Sequence, residues 1–251
     1  MNRRSHLRNA LGLILGLAFL PWVAAQEAAP RADLPSAESI LDRYIEVTGG
    51  AAAYKNRTSE TTTGTFTIVA ANLTGQLRAS VKPGMVRTTI ELPGVGRIDS
   101  GVTDGVAWAE DPFAGPRILT GFQAAFAIAN ARPGATADWR EQYSSVEVTG
   151  IEDVNGEPAY RVVQTLAQGD SLRGFYSVDS GLLLKLAFTT EAPVEIFYEE
   201  YARVEGILTP TSIVQMAAGQ RMVMNFTSLE VNVEIPDEQF APPEGVQALL
   251  Q

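Results

Sequence analysis

The sequence predicts a mainly β protein in which one antiparallel sheet curls around two helical segments. The first observation is that apolar and polar residues alternate with period two in short runs from residue 58 to residue 233. The second is that turn signals such as Asp104-Gly105 and Asn155-Gly156 join these runs as hairpins. The third is that only two stretches have clear helical periodicity, without a convincing βαβ unit. A sheet of about ten to twelve strands curls strongly enough to close or half-close into a barrel, and two helices suffice to plug its inner face.

Residues 1–25 have the layout of a secretory signal peptide, so we expect an exported, periplasmic protein. Arg3, Arg4 and Arg8 precede an apolar run at residues 10–20, and Val23-Ala24-Ala25 supplies the small residues of a cleavage site. The run is short for a membrane span, which needs about 20 apolar residues. Residues 26–35 are expected to form a flexible leader and residues 36–246 a single domain.

Composition argues against several classes of function. Without residues 1–25, 16 of the 19 Lys and Arg remain against 29 Asp and Glu, a formal charge of −13. This acidic balance disfavours nucleic acid as a partner. The single histidine is His6, inside the predicted signal peptide, and the chain has no cysteine. Ser–His and Cys–His nucleophiles and the usual ligands of zinc, copper and haem are therefore missing from the mature chain.

The two predicted helices lie before and after the first group of strands. Ser36 can cap a helix whose apolar residues recur at helical spacing as far as Thr48, and Gly49-Gly50 ends it. Five short strands follow between residues 61 and 109. A softer helix then spans residues 121–129. It can act as a mobile lid or as a docked plug that fills one end of the barrel.

Residues 158–201 form a meander that organises the rest of the sheet. The loop Asp179-Ser180-Gly181, with glycine in the left-handed position, joins two of its strands. In the strand that follows, Leu182, Leu184, Leu186 and Phe188 are predicted to share one face.

The last strand predicts an irregularity. Met222, Met224 and Phe226 share one parity, while Leu229, Val231 and Val233 take the other, so a β-bulge is expected near Thr227-Ser228. Pro210 favours an edge or a bulge in the preceding strand. Prolines at 236, 242 and 243 are expected to end the ordered chain.

The apolar face of this sheet is the candidate binding surface. It can line a cavity for acyl chains, since each buried methylene contributes about 0.8 kcal/mol, or it can be packed core beneath the helices. Trp108 and Trp139 are candidates for ligand contacts at the rim. The candidate ligand-binding residues are Phe66, Ile68, Phe122, Phe126, Leu184, Leu186, Phe188, Met222, Met224 and Phe226.

Two local motifs and the order of the elements carry a family resemblance. The motifs are the Asp179-Ser180-Gly181-Leu182 hairpin and the ending Phe240-Ala241-Pro242-Pro243-Glu244-Gly245-Val246, in a chain that begins with a helix ending in Gly49-Gly50. Together they resemble the LolA/LolB-like superfamily of periplasmic lipoprotein carriers. The resemblance implies an incomplete β-barrel, a half-barrel whose helices form a lid over a hydrophobic cavity for acyl chains. It implies no ATP, metal or cofactor.

Three functions remain open at this point. The leading hypothesis is a monomeric carrier for the acyl chains of a lipoprotein or lipid, working with an inner- or outer-membrane partner protein. The alternative is a sensor that uses the same half-barrel to detect a lipid. A hydrolase would need Glu110-Asp111, Glu152-Asp153 or Glu199-Glu200 to converge in a cleft, whereas adjacent strand residues point to opposite faces. We therefore assign no catalytic or metal-binding residue.

Overall fold

The structure, a computed structural model, describes residues 34–251. The predicted signal peptide and most of the predicted leader lie outside these residues. The helices are α1 (Ala37–Thr48), α2 (Ala51–Lys55), α3 (Gly121–Ala129), α4 (Trp139–Gln142) and α5 (Glu244–Gln247). The strands are β1 (Glu60–Ile68), β2 (Leu73–Lys82), β3 (Met85–Leu92), β4 (Gly96–Thr103), β5 (Val106–Asp111), β6 (Gly115–Ile118), β7 (Tyr143–Val154), β8 (Glu157–Leu166), β9 (Ser171–Ser177), β10 (Leu183–Thr189), β11 (Pro193–Val204), β12 (Ile207–Ala217) and β13 (Gln220–Val231).

All thirteen strands form one antiparallel sheet in the order β6-β5-β4-β3-β2-β1-β13-β12-β11-β10-β9-β8-β7. The sheet is curled and does not close, which confirms the predicted half-barrel with helices. The count exceeds the expected ten to twelve because the four-residue β6 lies among prolines and glycines, where alternation is hard to detect. Every sheet neighbour except the pair β1 and β13 is also a neighbour in sequence, so hairpins build nearly the whole sheet.

Helix α1 forms as predicted. Its amide at Ser39 donates to the side chain of Ser36, 3.1 Å away, and Gly49 ends the helix with φ 151°. Its buried face packs with residues of the sheet that include Leu186 and Ile207. We call the side of the sheet that carries α1 the concave face.

Strand register shows which other residues share the concave face, since directly paired residues point the same way. Leu186 pairs with Ile196, which pairs with Gln215. Gln215 pairs with Met222, which pairs with Ile68. The apolar residues of β1 and β13 therefore continue the surface that lies beneath the helices.

Two β-bulges decide which face of the sheet the predicted binding residues of β10 and β13 occupy. Thr63 pairs with Ser228 but Gly64 pairs with Phe226, so Thr227 is the extra residue and the predicted bulge is confirmed. A second shift falls between Leu183 and Lys185. There the predicted alternation is wrong, because Leu184 packs with the opposite-face cluster of Val154, Ala159, Phe175, Ala187 and Phe197.

The expectation that the terminal prolines end the ordered chain is also wrong. A 3₁₀ turn at Asp237–Phe240 precedes α5, and both Phe240 and Val246 are fully buried. The prolines interrupt helix and strand, but Arg87 donates to the carbonyl oxygens of Gln239 and Ala241 and holds the irregular backbone. This segment packs against the convex side of β3–β6.

Of the helices in residues 34–251, none is both long and apolar enough to span a membrane.

Candidate functional site

A cavity of about 220 Å³ lies between the helices and the concave face of strands β7–β12. Helices α1, α3 and α4 supply one wall, and six strands supply the other. Its lining residues are Leu41, Tyr44, Ile45, Phe126, Asn130, Thr136, Trp139, Gln142, Tyr143, Gln164, Tyr176, Leu183, Leu186, Tyr198 and Pro210.

Polar contacts on the outside hold α1 over this cavity. Arg140 donates to both carboxylate oxygens of Asp42 at 2.8 and 2.7 Å, and the indole N–H of Trp139 donates to one of them at 3.2 Å. The hydrogen bond from Arg140 lowers the pKa of Asp42 despite partial burial. We call these contacts the α1–α4 latch. Arg43 also donates to the carbonyl oxygen of Asp179 at 2.7 Å, which ties α1 to the β9–β10 hairpin.

Tyrosine hydroxyls make the cavity amphipathic. Tyr44, Tyr143, Tyr176 and Tyr198 line it from α1, β7, β9 and β11. Burial raises the pKa of Tyr143 to about 12, and burial likewise raises the pKa values of the other three above the ordinary range. All four hydroxyls therefore stay protonated at neutral pH and can donate hydrogen bonds.

The cavity wall carries no charged side chain among the described residues that line it. Its other polar groups are the neutral side chains of Asn130, Thr136, Gln142 and Gln164. An ionised ligand group would lose its hydration there without gaining a partner of opposite charge. The chemistry of the wall suits an uncharged, mainly apolar guest.

Three phenylalanines pack together where α3 meets β10, beside the cavity. The ring centroids of Phe122 and Phe188 are 4.6 Å apart, and Phe126 lies 5.6 Å from Phe122 and 5.9 Å from Phe188. These spacings are those of favourable aromatic contacts. The predicted aromatic stripe of α3 is thus packed against β10, and Phe126 lines the cavity itself.

The predicted apolar residues of β1 and β13 lie farther along the same face. Phe66 is buried in a cluster with Leu77, Ile90 and Leu92, and Ile68, Met222, Met224 and Phe226 pack against it while remaining half-buried. We call Phe66, Ile68, Met222, Met224 and Phe226 the apolar belt. None of the five lines the 220 Å³ cavity.

Strands β12 and β13 separate over part of their length, and this gap, which we call the split, lies between the cavity and the apolar belt. Strand β12 pairs with β13 only from Ser212 onwards, while its pairing with β11 continues to Ile207. Pro210 still pairs with Tyr201 of β11 but has no partner on the β13 side, so the local edge predicted for this proline is confirmed. A space of about 260 Å³ fills the split and extends from Pro210 to Phe226.

Arg57 stands at this split with 6% of its side chain exposed. It pairs with Glu60 at 3.2 Å and donates to the carbonyl oxygen of Val204 at 3.1 Å. It therefore joins the start of β1 to the end of β11, across the region where β12 and β13 have separated.

The structure brings together some predicted residues and adds others. Phe126, Leu186 and Trp139 line the cavity, whereas Trp108 is fully buried on the convex face, where its indole donates to Thr103. Prediction from sequence missed the four tyrosines and Gln164. A partial signal existed for Tyr198, which follows Val194 and Ile196 at period two.

The carboxylate pairs do not form a metal centre. Within residues 34–251, no group of three or more His, Cys, Asp or Glu side chains is placed to hold a metal ion.

The open antiparallel sheet curled around a helix-covered cavity has the LolA-like fold, and three solved structures support this assignment. A LolA superfamily protein from Nitrosomonas europaea superposes with a TM-score of 0.56 at 16% identity, over 83% of this chain and 99% of that one. A DUF1329 family protein from Desulfovibrio piger gives 0.55 at 14% identity, over 86% and 99% of the two chains.

A structure described as an outer membrane lipoprotein-sorting protein domain, from Vibrio parahaemolyticus, gives a TM-score of 0.53 at 12% identity, over 81% and 97%. At these identities the likeness establishes the fold alone. No protein-family model matches the sequence, and no curated protein matches it.

Proposed function

We propose that this protein is an exported, periplasmic binding protein that carries a hydrophobic ligand, the acyl chain of a lipoprotein or lipid, towards the outer membrane. It works without covalent chemistry and without a cofactor. A partner protein in the inner or outer membrane would supply or receive the ligand, and the carrier itself acts as a monomer.

The observation that carries this proposal is the cavity beneath the helices. Its walls are aliphatic and aromatic apart from neutral polar groups, and the concave face continues from it into the apolar belt, of which every member except Phe66 is half-buried. Half-buried Met222 and Met224 suit a guest of variable shape, because methionine adapts to irregular apolar surfaces. Sorting of lipoproteins, the role that the description of the neighbour from Vibrio parahaemolyticus suggests for that protein, fits such a surface.

The proposed contacts divide into two groups. Phe126 and Leu186 would contact the part of the ligand inside the cavity, with Phe122 and Phe188 behind them. The apolar belt would cover the part that extends along the sheet. Leu184 has no place in this site because it packs on the opposite face.

A blocking variant tests the proposal. Thr136 both lines the cavity and is exposed to solvent, so it lies where the cavity meets the solvent. Thr136→Trp would block this opening with little effect on folding. We expect it to weaken binding of an uncharged fluorescent acyl-chain probe by at least about tenfold. Ser145→Trp, at an exposed position outside the cavity, is the matched control and should bind like the unmodified protein.

Native mass spectrometry of protein purified from its own host supplies the second measurement. A co-purifying acyl species that Thr136→Trp lacks would support the proposal. Failure of every apolar probe and every host lipid to bind the folded protein would contradict it.

A further inference from the structure

Gln164 lines the cavity and carries a buried hydrogen-bond acceptor without a partner. Gln164 is only 2% exposed, and its side-chain Nε2 donates to the hydroxyl of Tyr176 at 2.9 Å. Its Oε1 is one of four buried side-chain polar atoms in residues 34–251 that have no hydrogen-bond partner. The other three belong to Arg57, Glu110 and Arg132, which do not line the cavity.

The fold around Gln164 makes room for this arrangement. A Cβ atom added at Gly174 would lie 3.0 Å from Gln164 Oε1 and 2.7 Å from the ring of Tyr176. Glycine at this position of β9 therefore lets both side chains lie over the strand. An unpaired buried acceptor is destabilising, so a ligand whose donor reaches it binds more tightly.

The rest of the wall restricts which donor can enter. An ammonium group would bring a charge into a wall that has no carboxylate to balance it. A hydroxyl or an amide N–H can donate to Gln164 without that cost. The hydroxyl groups of Tyr143 and Tyr198 can in turn donate to the oxygen atom of the ligand's hydroxyl or to the carbonyl oxygen of its amide.

We propose that the cavity binds an uncharged amphiphile whose hydroxyl or amide N–H donates to Gln164 Oε1. This rests on the proposed function and narrows its ligand class. The volume of about 220 Å³ lies below the roughly 300–1,000 Å³ of pockets for drug-sized ligands. It therefore takes one chain with its polar group rather than several chains.

Matched ligand pairs test the donor directly. Decanol and decyl methyl ether differ in one O–H, and N-methyldecanamide and N,N-dimethyldecanamide differ in one N–H. Isothermal titration should show each donor-bearing member binding roughly tenfold more tightly than its partner, because a ligand without the donor leaves Gln164 unpaired. Decanoate should bind more weakly than decanol. Preference in one pair alone would identify the donor as hydroxyl or amide.

Two variants assign the preference to Gln164. In Gln164→Leu the ratio of affinities within each pair should fall to about one. Gln215→Leu is the matched control, since this glutamine of β12 lies on the same concave face but does not line the cavity, and it should keep the preference. If Gln164→Leu fails to fold, side-chain amide NMR of the unmodified protein should still show the Gln164 signal shifting with decanol and not with the ether.

The outcomes separate this inference from the proposed function. Equal binding within both pairs, or a preference that survives in Gln164→Leu, would overturn the inference and leave the carrier role intact. Binding of none of the compounds would overturn both.

Discussion

Single residues decide how firmly the helices cover the cavity. The α1–α4 latch joins Asp42 and Arg140 although their side chains are 51% and 60% exposed. Exposed ion pairs contribute little stability, typically below about 1 kcal/mol. The latch therefore matters more for how often the cover opens than for whether the protein folds.

Asp42→Asn should consequently lower stability slightly and speed release of a bound fluorescent probe. Because the folded protein lowers the pKa of Asp42, the ion pair contributes its full stability above the ordinary value of 3.8 and loses it as the pH falls through the lower folded value. Melting temperatures of the two proteins should differ at neutral pH and converge in acid below that window. A difference that persists unchanged at the lowest pH would contradict this account.

Gly174 is the residue on which the polar side of the cavity depends. Gly174→Ala should lower the free energy of unfolding by about 1–3 kcal/mol, since the added methyl group collides with the ring of Tyr176 and with Gln164. Urea denaturation measures the change. A neutral or stabilising result would contradict this prediction. It would show that the side chains of Tyr176 and Gln164 can move to make room for the methyl group.

At the scale of the elements, the notable feature is the split between β12 and β13 and the contacts that bridge it. Strands β12 and β13 separate at Ser212, and Arg57 joins the neighbouring elements across that region through Glu60 and Val204. The carboxylate of Glu60 is 20% exposed, so removal of the arginine would leave a largely buried charge without a partner.

Arg57→Ala should therefore cost about 2 kcal/mol of unfolding free energy. Arg161→Ala, which breaks a more exposed pair with Glu152 (36% and 42% exposed), is the control and should cost less than about 1 kcal/mol. Equal effects in the two variants would mean that Arg57 contributes no more stability than an exposed ion pair and does not hold β1 and β11 together.

One of the two bulges was predicted from the sequence, and the other, which was not, made the predicted face of Leu184 wrong. The bulge at Thr227 was predictable because apolar residues on both sides of it showed opposite parity. The bulge between Leu183 and Lys185 falls within the run Leu182-Leu183-Leu184, where either parity is apolar. Only pairing with β9 resolves it, so the error at Leu184 could not be corrected from the strand alone.

At the scale of the whole molecule, the C-terminal segment completes the fold. Phe240 and Val246 are fully buried, and the segment packs against the convex side of β3–β6, opposite the face that carries α1. Phe240→Ala should cost about 3–5 kcal/mol, as expected for deletion of a fully buried aromatic ring.

Leu249→Ala is the control for this prediction, because Leu249 is 52% exposed and its truncation should change stability by less than about 0.5 kcal/mol. Thermal unfolding followed by circular dichroism compares the two variants. If Phe240→Ala unfolds like the Leu249 control, the segment is a dispensable tail.

Local pattern was enough to predict the helix capped by Ser36, the hairpins and the single curled sheet, since capping, turn chemistry and alternation act between residues a few positions apart. The cavity and its polar wall required the folded chain. Tyr44, Tyr143, Tyr176 and Tyr198 come from one helix and three strands, and they meet only through register and curl set by contacts across the whole sheet. Alternation tells which residues of a strand share a face, but the shape of the space above that face depends on elements distant in sequence.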